Sequence, residues 1–170
     1  MEYKDLELNN KLIRVFKNGN VHHFKIEKGE FTTPYIEPSG YKTYRKKTKS
    51  YYIRIEINKK KYYAHRIVAF AFLGLDIKNS KMKVDHKNHD TENNSVLNLE
   101  VCNDSQNQQN RSNTKGYYWN KKEKKYQVGI MINKKHIYGG SYNTEEEAHE
   151  RYLELKMIHH DYYREVICSQ

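Results

Sequence analysis

Apolar and polar positions alternate along two strand-rich stretches, one on each side of an asparagine-rich middle. Leu12-Ile13-Arg14-Val15-Phe16 and Val21-His22-His23-Phe24-Lys25-Ile26 flank Lys17-Asn18-Gly19-Asn20. Asn-Gly between two β-prone runs predicts a hairpin, because both residues tolerate the backbone angles of a tight turn. Pro34, Pro38 and Gly40 mark a loop. Tyr51 to Ile57 reads as a strand, Asn58-Lys59-Lys60 as a turn, and Lys61 to Ala64 as the returning strand. His65 to Leu73 is mostly apolar and predicts a short helix closed near Gly74. Past Asn113, strands are expected at Tyr126 to Ile132 and His136 to Tyr142, with a turn at Asn133-Lys134-Lys135. A helix should open at Asn143 or Thr144 and run to about His160. Glu145, Glu146 and Glu147 suit the positive end of its dipole. Ala148, Tyr152, Leu155 and His159 fall on one face of it.

The chemistry concentrates between Val84 and Arg111, in VDHKNHDTENNSVLNLEVCNDSQNQQNR. Asp85 is a hard oxygen donor suited to Mg²⁺-like cations. His86 is the side chain able to act as a base near neutral pH. Asn98 and Asn107 offer amide groups that can hold a loop or complete a metal shell. Without that chemistry, the stretch is an asparagine-rich polar loop between two strands.

The set Asp85-His86, Asn93-Asn94, Asn98-Leu99 and Asn107 resembles the HNH nuclease family, in particular the homing endonucleases of phages and introns. The run Ala64-His65-Arg66-Ile67-Val68-Ala69-Phe70 is similar to the segment that precedes the motif in that family. The resemblance implies a ββα-metal site: a strand ending at Asp85-His86, a wide loop, a second strand near Leu99 to Val101, and a helix from about Asn103 or Asp104 carrying Asn107. It also implies a catalytic set of Asp85, His86 and Asn98. Asp85 and Asn107 would hold one divalent metal, Mg²⁺ or Mn²⁺, His86 would deprotonate the attacking water, and Asn98 would tie the wide loop to the backbone. Arg111 is assigned to a phosphate.

The segment from about Ser112 to Glu165 resembles the AP2 DNA-binding domain, at Gly116, Trp119, Ile130, Gly140 and Ala148. It departs at Tyr118, Gly129 and Met131, where the family usually has arginines, so no base preference carries over. Alternation puts Tyr126, Val128 and Ile130 toward the helix and Gln127, Gly129 and Met131 outward. The resemblance makes Lys115, Tyr118, Asn120, Gln127, His136 and Tyr138 the DNA-contact candidates, with tyrosine positions that equally suit core filling.

Composition agrees with a nucleic-acid partner. The chain has 170 residues, 31 Lys and Arg against 21 Asp and Glu, and a formal net charge of +10. That excess favours a polyanion, and no stretch is apolar enough to span a membrane. Arg45, Lys46, Lys47 and Lys49 lie among Tyr41, Tyr44 and Tyr51, a mixture suited to a phosphate backbone. Mean hydropathy is -1.08, which argues against one large core, and 16 tyrosines partly compensate. Cys102 and Cys168 form no Cys-x-x-Cys pair, so structural zinc is not expected. His22-His23 reads as exposed strand histidines, and His65 as a core residue, with orienting His86 or binding a phosphate as the alternatives. The polar start is unlike a signal peptide, which points to the cytoplasm.

The expected fold is α+β in three parts. These are a small β-hairpin N-terminal region (1–64), a ββα-metal (HNH) nuclease core (65–111), and a C-terminal three-stranded antiparallel sheet plus one helix, AP2-like (112–170). The expected function is site-specific cleavage of double-stranded DNA by a monomer that nicks one strand. The alternatives are a non-catalytic DNA-binding regulator and a restriction endonuclease.

Overall fold

The computed structural model describes residues 2–27, 30–34, 38–78, 81–111, 114–132 and 135–168. The expected turn at Asn133-Lys134 and the expected boundary at 112 lie outside them. The fold is mixed α+β, built from several small antiparallel sheets and few helices. The chain divides into two compact units, Met1–Asp104 and Ser105–Gln170.

The first unit opens with a meander of β1 (Tyr3–Glu7), β2 (Leu12–Phe16), β3 (Val21–Glu27) and β4 (Glu30–Pro34). A second sheet follows, of β5 (Tyr41–Arg45), β6 (Ser50–Ile57) and β7 (Lys60–Tyr63). Two of the turns carry positive φ at both central residues, Asn9-Asn10 and Asn58-Lys59. That geometry matches the right-handed twist of the flanking strands, and asparagine adopts it at low cost. The two turns also grip each other. Asn9 Nδ2 donates to the carbonyls of Ile57 and Asn58 at 2.9 and 3.1 Å, and Asn58 Nδ2 donates to the Asn9 carbonyl at 3.3 Å.

Helix α1 (Ala64–Phe72) leaves β7 without a break. It sits against β2, β6, β7, β8 (Lys83–His86) and β9 (Leu99–Cys102). One core results, shared by Ile13 and Val15 of β2, Ile55 and Ile57 of β6, Ile67 and Val68 of α1, and Leu99 of β9. Residues on both sides of position 64 therefore fill the same interior. Arg66 donates to the Met82 carbonyl at 3.1 Å and ties α1 to the entry of β8.

The second unit takes in most of α2 (Asp104–Gln109), then β10 (Tyr117–Asn120), β11 (Lys125–Ile132), β12 (Lys135–Tyr142), α3 (Glu145–His159) and α4 (Asp161–Cys168). Thr144 caps α3 by accepting from the Glu147 amide, while the Glu147 carboxylate accepts from the Thr144 amide, a reciprocal capping box. Val128 and Ile130 face Ala148, Tyr152 and Leu155 across the interior. The register shifts between Val128 and Gly129, where β12 carries an extra residue, Gly139. A Cβ on Gly139 would stand 2.6 Å from Leu155 and 2.8 Å from Val128, so the close approach of sheet and helix requires glycine there.

The helical face differs from expectation at one place. His159 is exposed, and Lys156 is buried instead, 3% accessible. The reason is α4, which brings Tyr163 over the ammonium at 3.7 Å, with the Tyr152 ring at 5.8 Å. Two rings stabilise the cation less than water does, and burial pushes the Lys156 pKa down to about 8. The folded state thus holds the charged form at a cost that is full below about pH 8. The cost fades as pH rises toward the unfolded value of about 10.4. Lys156→Met is expected to raise the melting temperature at pH 7, and the gain should be smaller at pH 9.5. Equal gains at both pH values in thermal unfolding would contradict this account of the buried charge.

Candidate active site

His86 is the last residue of β8, paired across the ladder with buried Leu99, and Asp85 beside it is paired with Glu100. The imidazole is itself 4% accessible. One of its neighbours fixes its chemistry. Asn94 Nδ2 donates to the Glu92 carbonyl at 3.2 Å, which turns the amide oxygen toward His86 Nε2, also at 3.2 Å. An amide oxygen only accepts, so Nε2 carries the proton and Nδ1 keeps its lone pair. Burial pushes the His86 pKa below its ordinary value, while Asn94, Asp85 and Asp90 pull it partly back. The ring is neutral near pH 7 and presents a base.

The loop between β8 and β9 is held by its own polar side chains. Asn88, Asp90 and Asn93 each accept from the backbone amide two residues on, at 2.9, 3.0 and 3.2 Å. These Asx turns explain why the stretch is so rich in Asn and Asp. Asn98 closes the loop. Its Oδ1 accepts from the Asn88 amide at 3.1 Å, and its Nδ2 donates to the carbonyls of Asn93 and Asp90 at 2.8 and 3.4 Å. The backbone joins in, with Lys87 donating to the Asn98 carbonyl at 2.8 Å.

The N-terminal sheets brace this loop from outside. Val96 donates to the Lys17 carbonyl at 2.9 Å, Thr91 donates to the Tyr51 carbonyl at 2.6 Å, and Lys42 pairs with Glu92. Gly19, at the β2–β3 turn with φ +98°, lies directly on Asn94. A Cβ there would stand 2.5 Å from the Asn94 carbonyl carbon.

Two aromatic neighbours wall the imidazole. His65 meets His86 edge to face with ring centroids 5.0 Å apart and stacks on Tyr63 at 5.3 Å. Tyr52 stands 5.7 Å from His65 and 6.3 Å from His86. Burial, then the proximity of His86, Arg66 and Arg45, hold the His65 pKa well below the usual range, so His65 is also neutral. The supporting role of Gly19 is not evident from sequence, whereas an orienting role for His65 and loop support by Asn94 are among the readings open there. Asn94 had a signal in its place beside Asn93, and Gly19 had only the turn signal.

The remaining candidates fall into separate groups. Asn107 is on α2, in the second unit, and Arg111 lies exposed just past that helix. Arg45 ends β5, and Lys46 and Lys47 form the exposed turn after it, beside Tyr44 and Tyr51 with rings 5.1 Å apart. Tyr118, Gln127, His136 and Tyr138 share the sheet face turned away from α3, by their pairing with Gln127, Gly129 and Met131. His136 lies over Gly129, whose missing side chain leaves room for the ring. Asn120 accepts from the amides of Lys122 and Glu123 at 2.9 and 3.2 Å and so caps the β10–β11 turn. Lys115 is exposed just before β10, 4.0 Å from Glu145.

Comparison with known proteins gives one family match and one similar solved structure. Residues 62–109 match the HNH endonuclease family. A solved structure on DNA binding and cleavage by the HNH homing endonuclease I-HmuI is similar at 24% identity, covering 65% of this chain and 57% of that one, with a TM-score of 0.43. This chain thus spans little more than half the length of that neighbour. The comparison with curated proteins finds no match.

Two substitutions test the bracing of the loop. Asn98→Ala removes three part-buried bonds to backbone groups, and Gly19→Ala forces a side chain into Asn94 at a positive φ. Each is expected to lower unfolding free energy by about 1–3 kcal/mol. Denaturant titrations giving less than about 0.5 kcal/mol, the range of a neutral surface change, would contradict the bracing.

Proposed function

We propose that the chain is a site-specific DNA endonuclease that hydrolyses a phosphodiester with one divalent cation, Mg²⁺ or Mn²⁺, and His86 as general base. One observation carries the reading. His86 is neutral and its Nε2 is committed to Asn94, which leaves Nδ1 as the base of a ring that feels the charge of Asp85, within the segment that matches the HNH endonuclease family.

The donor set suits such an ion. Asp85 and Asn107 are hard oxygen donors. Such donors suit Mg²⁺, which keeps several waters and takes oxygens from substrate phosphate. When bound, the ion stabilises charge on a phosphate oxygen and on the leaving 3′ oxygen. Asp85 and Asn107 would hold it. His86 Nδ1 takes the proton of the attacking water. Asn94 keeps Nδ1 unprotonated, and Asn98 holds the loop that carries Asn94.

The rest of the chain provides DNA contact. Arg45, Lys46 and Lys47, next to Tyr44 and Tyr51, meet the phosphate backbone, as do Arg111 and Lys115. The outer face of the AP2-like sheet, with Tyr118, Gln127, His136 and Tyr138, enters the major groove, which admits a sheet or ribbon of this size. Asn120 serves that face by shaping its turn. A single centre in a monomer cuts one strand, as in a homing enzyme that nicks.

Incubation with supercoiled plasmid tests the reading. Open-circle product is expected with Mg²⁺ or Mn²⁺ and none with chelator. His86→Ala should lower the rate by about 10²–10⁴-fold, and Asn94→Ala by about 10–100-fold with DNA affinity unchanged. DNA retardation without cutting, in wild type as in the variants, would identify a regulator instead. Linear product formed at once would overturn the nicking monomer.

A further inference from the structure

The outer face of the second unit's sheet carries a hydrogen-bond chain organised by one carboxylate. Glu123 sits in the β10–β11 turn among Lys121, Lys122, Lys124 and Lys125, and Asn120 fixes that turn through the Lys122 and Glu123 amides. Its Oε2 accepts from Gln127 Nε2 at 2.8 Å and from Ser141 Oγ at 3.3 Å. Gln127 is buried, so its amide has little freedom to turn over. Tyr118 and Ser141 are its cross-strand partners on either side.

The direction of every bond in the chain follows from the carboxylate. An ionised carboxylate accepts only. With Nε2 committed to Glu123, Gln127 offers Oε1, and the Tyr118 hydroxyl donates to it. With its own proton committed to Glu123, Ser141 Oγ accepts, and the Tyr138 hydroxyl donates to it at 2.6 Å. Both tyrosine hydroxyl protons are therefore directed into the network. The two side chains are the most exposed aromatics of the face, at 55% and 59%, and they present only oxygen lone pairs outward.

We infer that Glu123, through Gln127 and Ser141, makes Tyr118 and Tyr138 acceptor-only readers of DNA, selecting base edges that carry an exocyclic amino group. In the major groove those donors are adenine N6 and cytosine N4, whereas guanine N7 and O6 and thymine O4 are acceptors and repel a lone pair. Phosphate oxygens repel it equally, so the two tyrosines face bases while the four lysines of the turn meet the backbone. The inference rests on the reading that this face lies on DNA. It adds a rule of base choice and a positioning residue, Glu123, which touches no base itself.

The test is selection of binding sites from a randomised duplex library by the full chain without divalent cation, followed by competition titrations. The wild type is expected to select adenine or cytosine at two defined positions. Tyr118→Phe and Tyr138→Phe should each flatten the preference at one of them by about tenfold, with the salt dependence of binding unchanged because no phosphate contact is lost. Glu123→Gln puts a group that also donates at the head of the chain, and it should relax both positions together. Met131→Glu serves as the control, because Met131 is exposed on the same face and a carboxylate there repels phosphate. If Met131→Glu binds like the wild type, the face does not lie on DNA and the underlying reading fails. If Met131→Glu weakens binding while the phenylalanine variants keep the wild-type preference, or if guanine or thymine is selected at those positions, the acceptor rule is overturned.

Discussion

The hydrogen bond from His86 Nε2 to Asn94 Oδ1 is the constraint on which the first unit depends. A histidine in water exchanges tautomers freely and is half protonated near pH 6.5. Buried at the end of β8 and facing an amide oxygen, it keeps one tautomer and loses its charge. The amide can do this only if it is held, and Asn94 lies in a loop with no regular secondary structure of its own. The loop is therefore fastened from within by Asn98 and from outside by the β2–β3 turn and β6. The two N-terminal sheets, which carry none of the proposed catalytic groups, hold the loop in which that amide lies.

The second unit solves a different problem with similar economy. Its core is small, formed by Val128, Ile130, Ala148, Tyr152 and Leu155 with tyrosines packed around them. Tyrosine suits a protein of low hydropathy because its ring can be buried while its hydroxyl still finds a partner. On the helix side the rings fill space, as where Tyr117 and Tyr126 meet edge to face with centroids 5.7 Å apart. On the outer side hydroxyls join the chain headed by Glu123. The same residue type thus does structural service on one face and polar service on the other, and strand parity decides which.

Much of the architecture was legible from local pattern. The Asn-Gly hairpin, the β6–β7 turn and the capped start of α3 appear where turn chemistry and alternation put them, and the strand ending at His86 where the family resemblance put it. Strands β1, β4 and β5 were not legible. β1 is polar and almost wholly exposed, β5 likewise, so neither has an apolar rhythm to read. Helix α4 continues past a single residue, His160, and no breaker residue separates it from α3. Its docking is what buries Lys156, which no helical-face argument anticipates. At the site, the resemblance to the HNH family points to Asp85 and His86. The role of Asn94 depends on which way its amide is turned, and that orientation is set by a carbonyl two residues away and by a glycine in a distant turn. Asn120 was legible as a polar group but not as a turn cap, because that function depends on where the next two amides point.

The protonation of His86 is the most direct test of this account. The chain has nine histidines, and two-bond ¹H–¹⁵N correlation spectra of the ¹⁵N-histidine-labelled full chain, assigned by comparison with His86→Ala, report the state of each ring nitrogen. The account predicts a neutral His86 at pH 7 with its proton on Nε2 and a bare Nδ1. A proton on Nδ1, or a doubly protonated ring at that pH, would contradict it.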